Sequence, residues 1–147
     1  MQPDKVVSTL NHLIEINRGA LRGYQEAAEK IGTPEIKTFC FEQIRVRWQF
    51  VDDLLAPLLS LGGHPKEKGS VVAAVHRGWI DLKAALGGGD HAILGAIETG
   101  EDYVVKEYKK AQGEKLPERV RDIVERQFQS VKQAHVKVKG MRERLDK

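Results

Sequence analysis

The chain has 147 residues, of which 41% are hydrophobic and 31% charged, with a formal net charge of +3. Its single cysteine excludes an intrachain disulfide and a cysteine-based zinc site, and no apolar run is long enough to span a bilayer. We expect a single domain over residues 1–147 and, because the first residues lack the layout of a signal peptide, a cytoplasmic location.

Apolar residues recur at alternating separations of three and four along most of the chain, which predicts long amphipathic helices and no strands. We predict helices over about residues 4–31, 34–61 and 90–112, and a fourth that starts near 118. A shorter helix is predicted over about residues 71–86. Asp90 is the expected N-cap of the third long helix.

The lengths of the connections predict how these helices pair. Short loops follow the first and third long helices, so each of them pairs antiparallel with the next one. About 28 residues, including the short helix, separate the second from the third, enough to travel most of the length of a bundle. The predicted fold is therefore all-α: a ferritin-like four-helix bundle of two antiparallel hairpins joined by a long crossover with a short fifth helix. We expect both hairpin turns at the same end.

Polar residues interrupt each of the four apolar stripes, in chain order Asn17, Gln43, Arg47, Glu101 and Gln127. Counted from the hairpin turns, four of them fall at about one level of the bundle, and Gln43 lies about one turn nearer the end. A lone buried charge is costly, but an Arg–Glu pair among amide partners is tolerated. We predict a buried Arg47–Glu101 pair flanked by the amides, with Tyr24 and Tyr108 as further partners. The layer either locks the register of the helices or lines a small-molecule or ion site, unless the Arg47 side chain extends to the edge of the bundle.

A ferritin-like di-iron centre takes a Glu from each of two helices and a Glu-x-x-His pair from each of the other two. That set cannot be assembled, because Arg45 stands three residues after Glu42 and Lys132 three residues before His135. Arg47 in the same layer would also repel a dication. No cofactor is predicted. A looser single-metal site is a weaker hypothesis, with the candidate ligands Glu98, Glu101 and His135.

The predicted crossover helix carries a cluster that could bind a ligand, namely His76, Arg77, Trp79 and Asp81. Trp79 shares a face with Val75 and Leu82, so we expect it to anchor this helix on the bundle. A histidine in such a place more often satisfies a helix end or a neighbouring carbonyl. Trp48 lies off the main stripe, and if exposed it is a candidate for a dimer surface.

Several segments carry a family resemblance, among them LNHLIEIN at 10–17, HRGWIDLK at 76–83 and ETGED at 98–102. They resemble a bacterial family of ferritin-like four-helix-bundle proteins of uncharacterised function, domain of unknown function 2383. The resemblance extends over nearly the whole chain, including residues 127–135. It implies a ferritin-like fold, a bacterial cytoplasmic origin and an association with stress. It implies no established activity and assigns no catalytic residues.

The last predicted helix is basic, since residues 121–147 carry eight basic and four acidic side chains. A solvated helix face explains this excess, and the single aromatic residue among these charges, Phe128, does not make the interleaved pattern of nucleic-acid platforms. Binding of nucleic acid or of another anionic surface through this helix is therefore a minor alternative.

These observations together predict a non-enzymatic, stress-associated binding or structural protein that lacks a complete di-iron site. A homodimer or another homo-oligomer is expected, and no membrane partner. The principal alternative is an enzyme, a di-metal carboxylate oxidase, or an iron-handling protein with a non-standard ligand set. The identity of any small-molecule ligand is not predicted.

Overall fold

The structure is a computed structural model that describes residues 3–66, 73, 75 and 77–145. Helices account for most of these residues. Within those residues there is no strand, which makes the fold all-α. The helices are α1 (Pro3–Lys30), α2 (Pro34–Ser60), α3 (Ile80–Ala85), α4 (Gly89–Gln112) and α5 (Glu118–Leu145). The bounds of α1, α2 and α4 agree with the predicted ones to within one residue. None of the helices in the described ranges is long and apolar enough to cross a membrane.

The four long helices pack pairwise around one hydrophobic core. α1 packs against α2 and α4 against α5, each pair joined by a short turn, and α1 also contacts α4 while α2 contacts α5. Each long helix contributes fully buried aliphatic side chains, such as Leu13, Leu54, Ile97 and Val131. Burial of each such side chain stabilises the fold by about 1.5–3 kcal/mol.

The two hairpin turns lie at opposite ends of the molecule, so the predicted same-end placement is wrong. Asp90, at the start of α4, accepts hydrogen bonds of 2.8 Å from the backbone N–H groups of Gly32 and Thr33 in the α1–α2 turn. Lys5 Nζ, near the start of α1, lies 3.0 Å from Glu114 Oε2 in the α4–α5 turn. Because the crossover travels the length of the helices, α4 runs parallel to α2 and its turn reaches the far end.

Asp90 is also not the N-cap of α4. Gly88 precedes the helix, and Gly89 has a φ of 85°, a left-handed conformation that favours glycine. The Asp90 carboxylate instead accepts the two backbone N–H groups and the hydroxyl of Thr33. Burial raises the pKa of Asp90, but these hydrogen bonds outweigh it and hold the pKa below its ordinary value. Asp90 therefore joins the first turn to the third long helix.

The predicted crossover helix of 71–86 is interrupted at Trp79. The described residues before it, 73, 75, 77 and 78, are helical. Trp79 has a non-helical backbone with φ −122° and ψ 14°, and α3 begins at Ile80. This break coincides with burial of the Trp79 ring, whose relative exposure is 2%. Residues 67–72, 74 and 76, which include the predicted start, lie outside the described residues.

Candidate functional site

The candidate site is the polar layer, defined as Asn17, Gln43, Arg47, Glu101 and Gln127. Asn17, Arg47 and Glu101 are completely buried, and the two glutamines are at most 8% exposed. All lie in the middle part of their helices. A residue in the middle of a helix is about equally far from both ends of the bundle. Its level along the bundle axis therefore hardly depends on the end at which the hairpin turn lies. The layer therefore forms as predicted, although the predicted placement of the turns is wrong.

Arg47 and Glu101 meet in the interior as an ion pair between α2 and α4. Arg47 Nη2 donates to Glu101 Oε2 at 2.6 Å and to Gln43 Oε1 at 3.2 Å. The guanidinium carbon lies 5.7 Å from the ring centroid of Tyr24 and 5.9 Å from that of Phe50, which adds cation–π attraction. Burial lowers the pKa of Arg47, but the Glu101 carboxylate outweighs it and raises the pKa above its ordinary value. The interior thus holds a permanent cation.

The two other amides form a separate network around Tyr108. Asn17 Nδ2 donates to the Tyr108 hydroxyl at 2.7 Å, and that hydroxyl donates to Gln127 Oε1 at 2.6 Å. Gln127 Nε2 donates in turn to the backbone carbonyl of Phe50 at 3.2 Å. Asn17 and Gln127 were predicted to flank the ion pair, but they are bonded to each other through Tyr108. This network links all four long helices.

Several polar atoms of the layer have no hydrogen-bond partner among the described residues, namely Arg47 Nε and Nη1, Glu101 Oε1 and Asn17 Oδ1. Burial, and next the nearby Glu101 charge, raise the pKa of Tyr24 well above its ordinary value, so its hydroxyl stays protonated. An unsatisfied buried polar group costs about 1–3 kcal/mol. The layer is therefore a costly feature whose two charges depend on each other.

The three candidate metal ligands are not brought together. Glu98 Oε2 lies 2.6 Å from Arg142 Nε, and His135 is paired with Asp102. Glu101 is held by the buried guanidinium. Among the described residues, no group of three or more His, Cys, Asp or Glu side chains is placed to hold a metal ion. The donor set fits neither a di-iron centre nor the looser single-metal site.

Trp79 anchors the crossover as predicted, because its ring is buried between α1 and α4. A Cβ built on Gly23 of α1 or on Gly100 of α4 would lie 2.5 Å from a ring carbon. The ring also meets Tyr24 edge to face, with centroids 5.5 Å apart. Trp79 thus serves packing and needs a glycine on each neighbouring helix.

The rest of the predicted crossover cluster does not converge on Trp79. Arg77 is exposed, and its Nε donates to the Tyr103 hydroxyl at 3.0 Å. Asp81 is exposed as well. His76 lies outside the described residues. The described members therefore form no common pocket.

A part-buried contact between His12 and Glu107 at the α1–α4 seam was not predicted. His12 Nε2 lies 2.8 Å from Glu107 Oε1, and Lys110 Nζ lies 3.1 Å from Glu107 Oε2. Burial raises the pKa of Glu107, but these two partners outweigh it and lower the pKa. Glu107 adjoins Tyr108 on the core stripe, so the spacing of apolar residues could have predicted that Glu107 is buried. The spacing could not have predicted that its partner on another helix is His12.

On the basic helix α5, several cations are engaged with neighbouring groups. Lys132 Nζ lies 5.0 Å from the ring centroid of Phe128, and Lys137 Nζ lies 5.4 Å from that of Phe39. Arg142 pairs with Glu98. These contacts occupy part of the predicted basic face.

Comparison with protein families decides the classification. The chain matches the sequence model of the family described as Domain of unknown function (DUF2383) over residues 5–114. The chain belongs to this family. The DUF2383 segment holds both members of the ion pair and the Trp79 anchor, whereas α5 with Gln127 lies beyond it. A comparison with curated proteins gave no match.

Proposed function

We propose that this protein is a ferritin-like bundle that works as a non-enzymatic binding or structural protein, with a buried guanidinium where such bundles hold metal ions. The observation that carries the proposal is the Arg47–Glu101 contact of 2.6 Å between two side chains of 0% exposure. The paired hairpins and the long crossover support the ferritin-like assignment. A bacterial, cytoplasmic and stress-associated setting is part of the proposal and rests on the sequence resemblance.

Electrostatics supports the exclusion of a dication from this layer. Two unit charges 4 Å apart interact by about 4 kcal/mol at an effective dielectric constant of about 20, so a dication beside a guanidinium is opposed by about 8 kcal/mol. Arg47 already occupies Glu101 Oε2, so only Oε1 of this carboxylate is left for a metal. The repulsion and the loss of one ligand oxygen both act against iron binding.

The ion pair has a structural role in this proposal. Neither the Arg47 guanidinium nor the Glu101 carboxylate has access to water, so each needs the other as its partner. The two groups reach each other only when α2 and α4 are aligned at one axial offset. Buried polar contacts of this kind select one register among alternatives that an apolar core would tolerate. The pair thus specifies how the two hairpins dock.

The test is exposure of the purified protein to ferrous iron in air, followed by desalting, elemental analysis and an optical spectrum. We expect substoichiometric iron and no absorption from an oxo-bridged iron pair. Stoichiometric iron with such absorption would favour the principal alternative, an iron-handling protein or di-metal oxidase. In that case Glu98→Gln and His135→Gln would show whether the predicted single-metal ligands are used, with Glu118→Gln on the exposed start of α5 as the matched control.

We further propose that the protein acts as a homo-oligomer. The support is the exposure of large apolar side chains on α2, where Phe41 is 57% and Trp48 50% exposed. Exposed aromatic residues that share one helix face are typical of protein interfaces.

Nucleic acid is not part of the proposal. The pairing of Arg142 with Glu98 of α4 neutralises one of the positive charges that the sequence assigns to α5. We expect the protein to pass through a heparin column at low salt. Retention that disappears when Lys132, Lys137 and Lys139 are replaced by Glu would revive the anionic-surface alternative.

A further inference from the structure

The outward face of α2 carries a row of apolar side chains, the α2 outer row, which consists of Phe41, Ile44, Trp48, Leu55 and Leu59. Successive members are separated by three, four, seven and four residues, so all five lie on one face of the helix. Phe41, Trp48 and Leu59 are each at least half exposed, while Ile44 and Leu55 are partly buried. Single exposed apolar residues are ordinary, but a continuous row with charged neighbours marks an interaction surface.

Phe41 and Leu55 are symmetric about Trp48, whereas the counterparts of Ile44 and Leu59 are Asp52 and Lys37. Phe41 precedes Trp48 by seven residues, and Leu55 follows it by seven. If two copies of α2 pack antiparallel about a two-fold axis at Trp48, the tryptophans meet and each Phe41 faces the Leu55 of the other copy. A surface that is complementary to itself in this way is what a two-fold homodimer requires.

The charges beside the row favour the same arrangement. Arg45 precedes Trp48 by three residues, Asp52 follows it by four, and both are exposed on the same side of the row. In the antiparallel pairing each Arg45 comes within about 1.5 Å, measured along the helix axis, of the level of the other copy's Asp52. Parallel pairing in register would leave Arg45 of one copy and Asp52 of the other about 10.5 Å apart along the axis. These opposite charges therefore come level only in the antiparallel form.

A groove next to the row offers room for the second copy. It lies between α1 and α2, has a volume of about 640 Å³, and is lined by Gln25, Ala28, Glu29, Lys37, Phe41 and Ile44. Antiparallel pairing brings the other copy's Leu55 and Leu59 to the level of Phe41 and Lys37. A leucine side chain from the second copy can then enter the groove.

We infer that the α2 outer row is the interface of an antiparallel two-fold homodimer, with a second copy of this chain as its occupant. This inference rests on the proposed self-association and names its surface. It is independent of the buried ion pair. A negative result in the association experiment would therefore leave the proposal about iron unaffected, and the reverse also holds.

The first experiment is sedimentation of the full chain over a range of concentrations. The wild type is expected to be a dimer, and Trp48→Glu should raise the dissociation constant by at least about 30-fold, as loss of a central aromatic side chain does at other interfaces. The matched control is Val136→Glu on α5, where the replaced side chain is 68% exposed and lies outside the row. It should leave the dimer unchanged. Circular dichroism melts verify that both variants are folded.

Charge reversal tests the orientation. Arg45→Asp and Asp52→Arg, each alone, should weaken the dimer by at least about 10-fold, because each places like charges opposite one another. The double variant restores opposite charges and should dimerise like the wild type. Failure of the double variant to recover would contradict antiparallel pairing.

Cross-linking tests the axis. In a Cys40→Ala background that keeps Trp48, a short bis-maleimide should join Phe41→Cys chains to Leu55→Cys chains in a mixture. It should join Phe41→Cys chains to each other only weakly. A wild type that is monomeric at every concentration, a dimer insensitive to Trp48→Glu, or Phe41→Cys self-linking as strong as its linking to Leu55→Cys would each overturn the inference.

Discussion

The indole of Trp79 lies directly against the backbone of Gly100. A Cβ built on Gly100 would stand 2.5 Å from both Cδ2 and Cε2 of the ring. Gly100 immediately precedes Glu101, so the crossover presses on α4 at the turn that carries the buried carboxylate. The packing of the crossover and the position of the ion pair are thus connected through two consecutive residues.

This contact predicts the effect of a single added methyl group. Gly100→Ala should lower the free energy of unfolding by about 1–3 kcal/mol, because the new Cβ overlaps a ring that is enclosed on both sides. The matched control on the same helix is Gly95→Ala, where the nearest atom to the new Cβ is Arg142 Cδ at 4.0 Å. There alanine should be neutral or stabilising by about 0.5–1 kcal/mol. Denaturant unfolding that gives equal stability for the two variants would show that Trp79 is not enclosed.

The ion pair predicts a strongly non-additive pair of substitutions. Arg47→Leu should destabilise the protein by about 3–5 kcal/mol, because it leaves the Glu101 carboxylate buried without its partner. Replacing Glu101 by Leu as well removes that charge, so the double variant should recover much of the loss. A double-mutant cycle from urea unfolding measures the coupling. If Arg47→Leu unfolds like the wild type, the two groups are not buried partners.

Asp90 predicts a pH dependence of stability. The pKa of Asp90 in the folded protein lies below its ordinary value of about 3.9, since hydrogen bonds from Gly32 and Thr33 favour the charged form over the opposing effect of burial. Its stabilising contribution is therefore complete above about pH 3.9 and is lost as the pH falls through the lower folded value. Melting temperatures of the wild type and Asp90→Asn should differ most near neutral pH and converge in acid. A difference that grows towards low pH would contradict this assignment.

The rate at which the buried Cys40 thiol reacts should report unfolding of the protein. Its side chain is completely buried, and burial, with a smaller effect from the charge of Asp90, raises its pKa to about 12. Little thiolate exists at neutral pH, and reagents have no path to it. Alkylation at about pH 8 should therefore be slow and should accelerate with denaturant in parallel with unfolding. The Val136→Cys, Cys40→Ala chain is the matched exposed thiol and should react at once. Fast reaction of native Cys40 would show that α2 opens locally.

The helices and the members of the polar layer were predictable because each is a property of one helix at a time. A period of 3.6 residues identifies the face that turns inward, and an interruption such as Arg47 or Glu101 stands out on that face. Both residues lie near the middle of their helices, where reversing the direction of a helix scarcely changes the level. For this reason the pair was predicted correctly from an incorrect placement of the turns.

By itself, the sequence determined the all-α fold, the bounds of the long helices, the buried Arg–Glu pair and the family. Only the tertiary structure decided that Asp90 ties the first turn to α4, that Tyr108 joins Asn17 to Gln127, and that Glu107 pairs with His12. The reason is geometric. Residue spacing records the rotation of a side chain about its own helix axis, whereas these contacts depend on how far and in which direction neighbouring helices are displaced. That displacement is set by the packing of all the helices together.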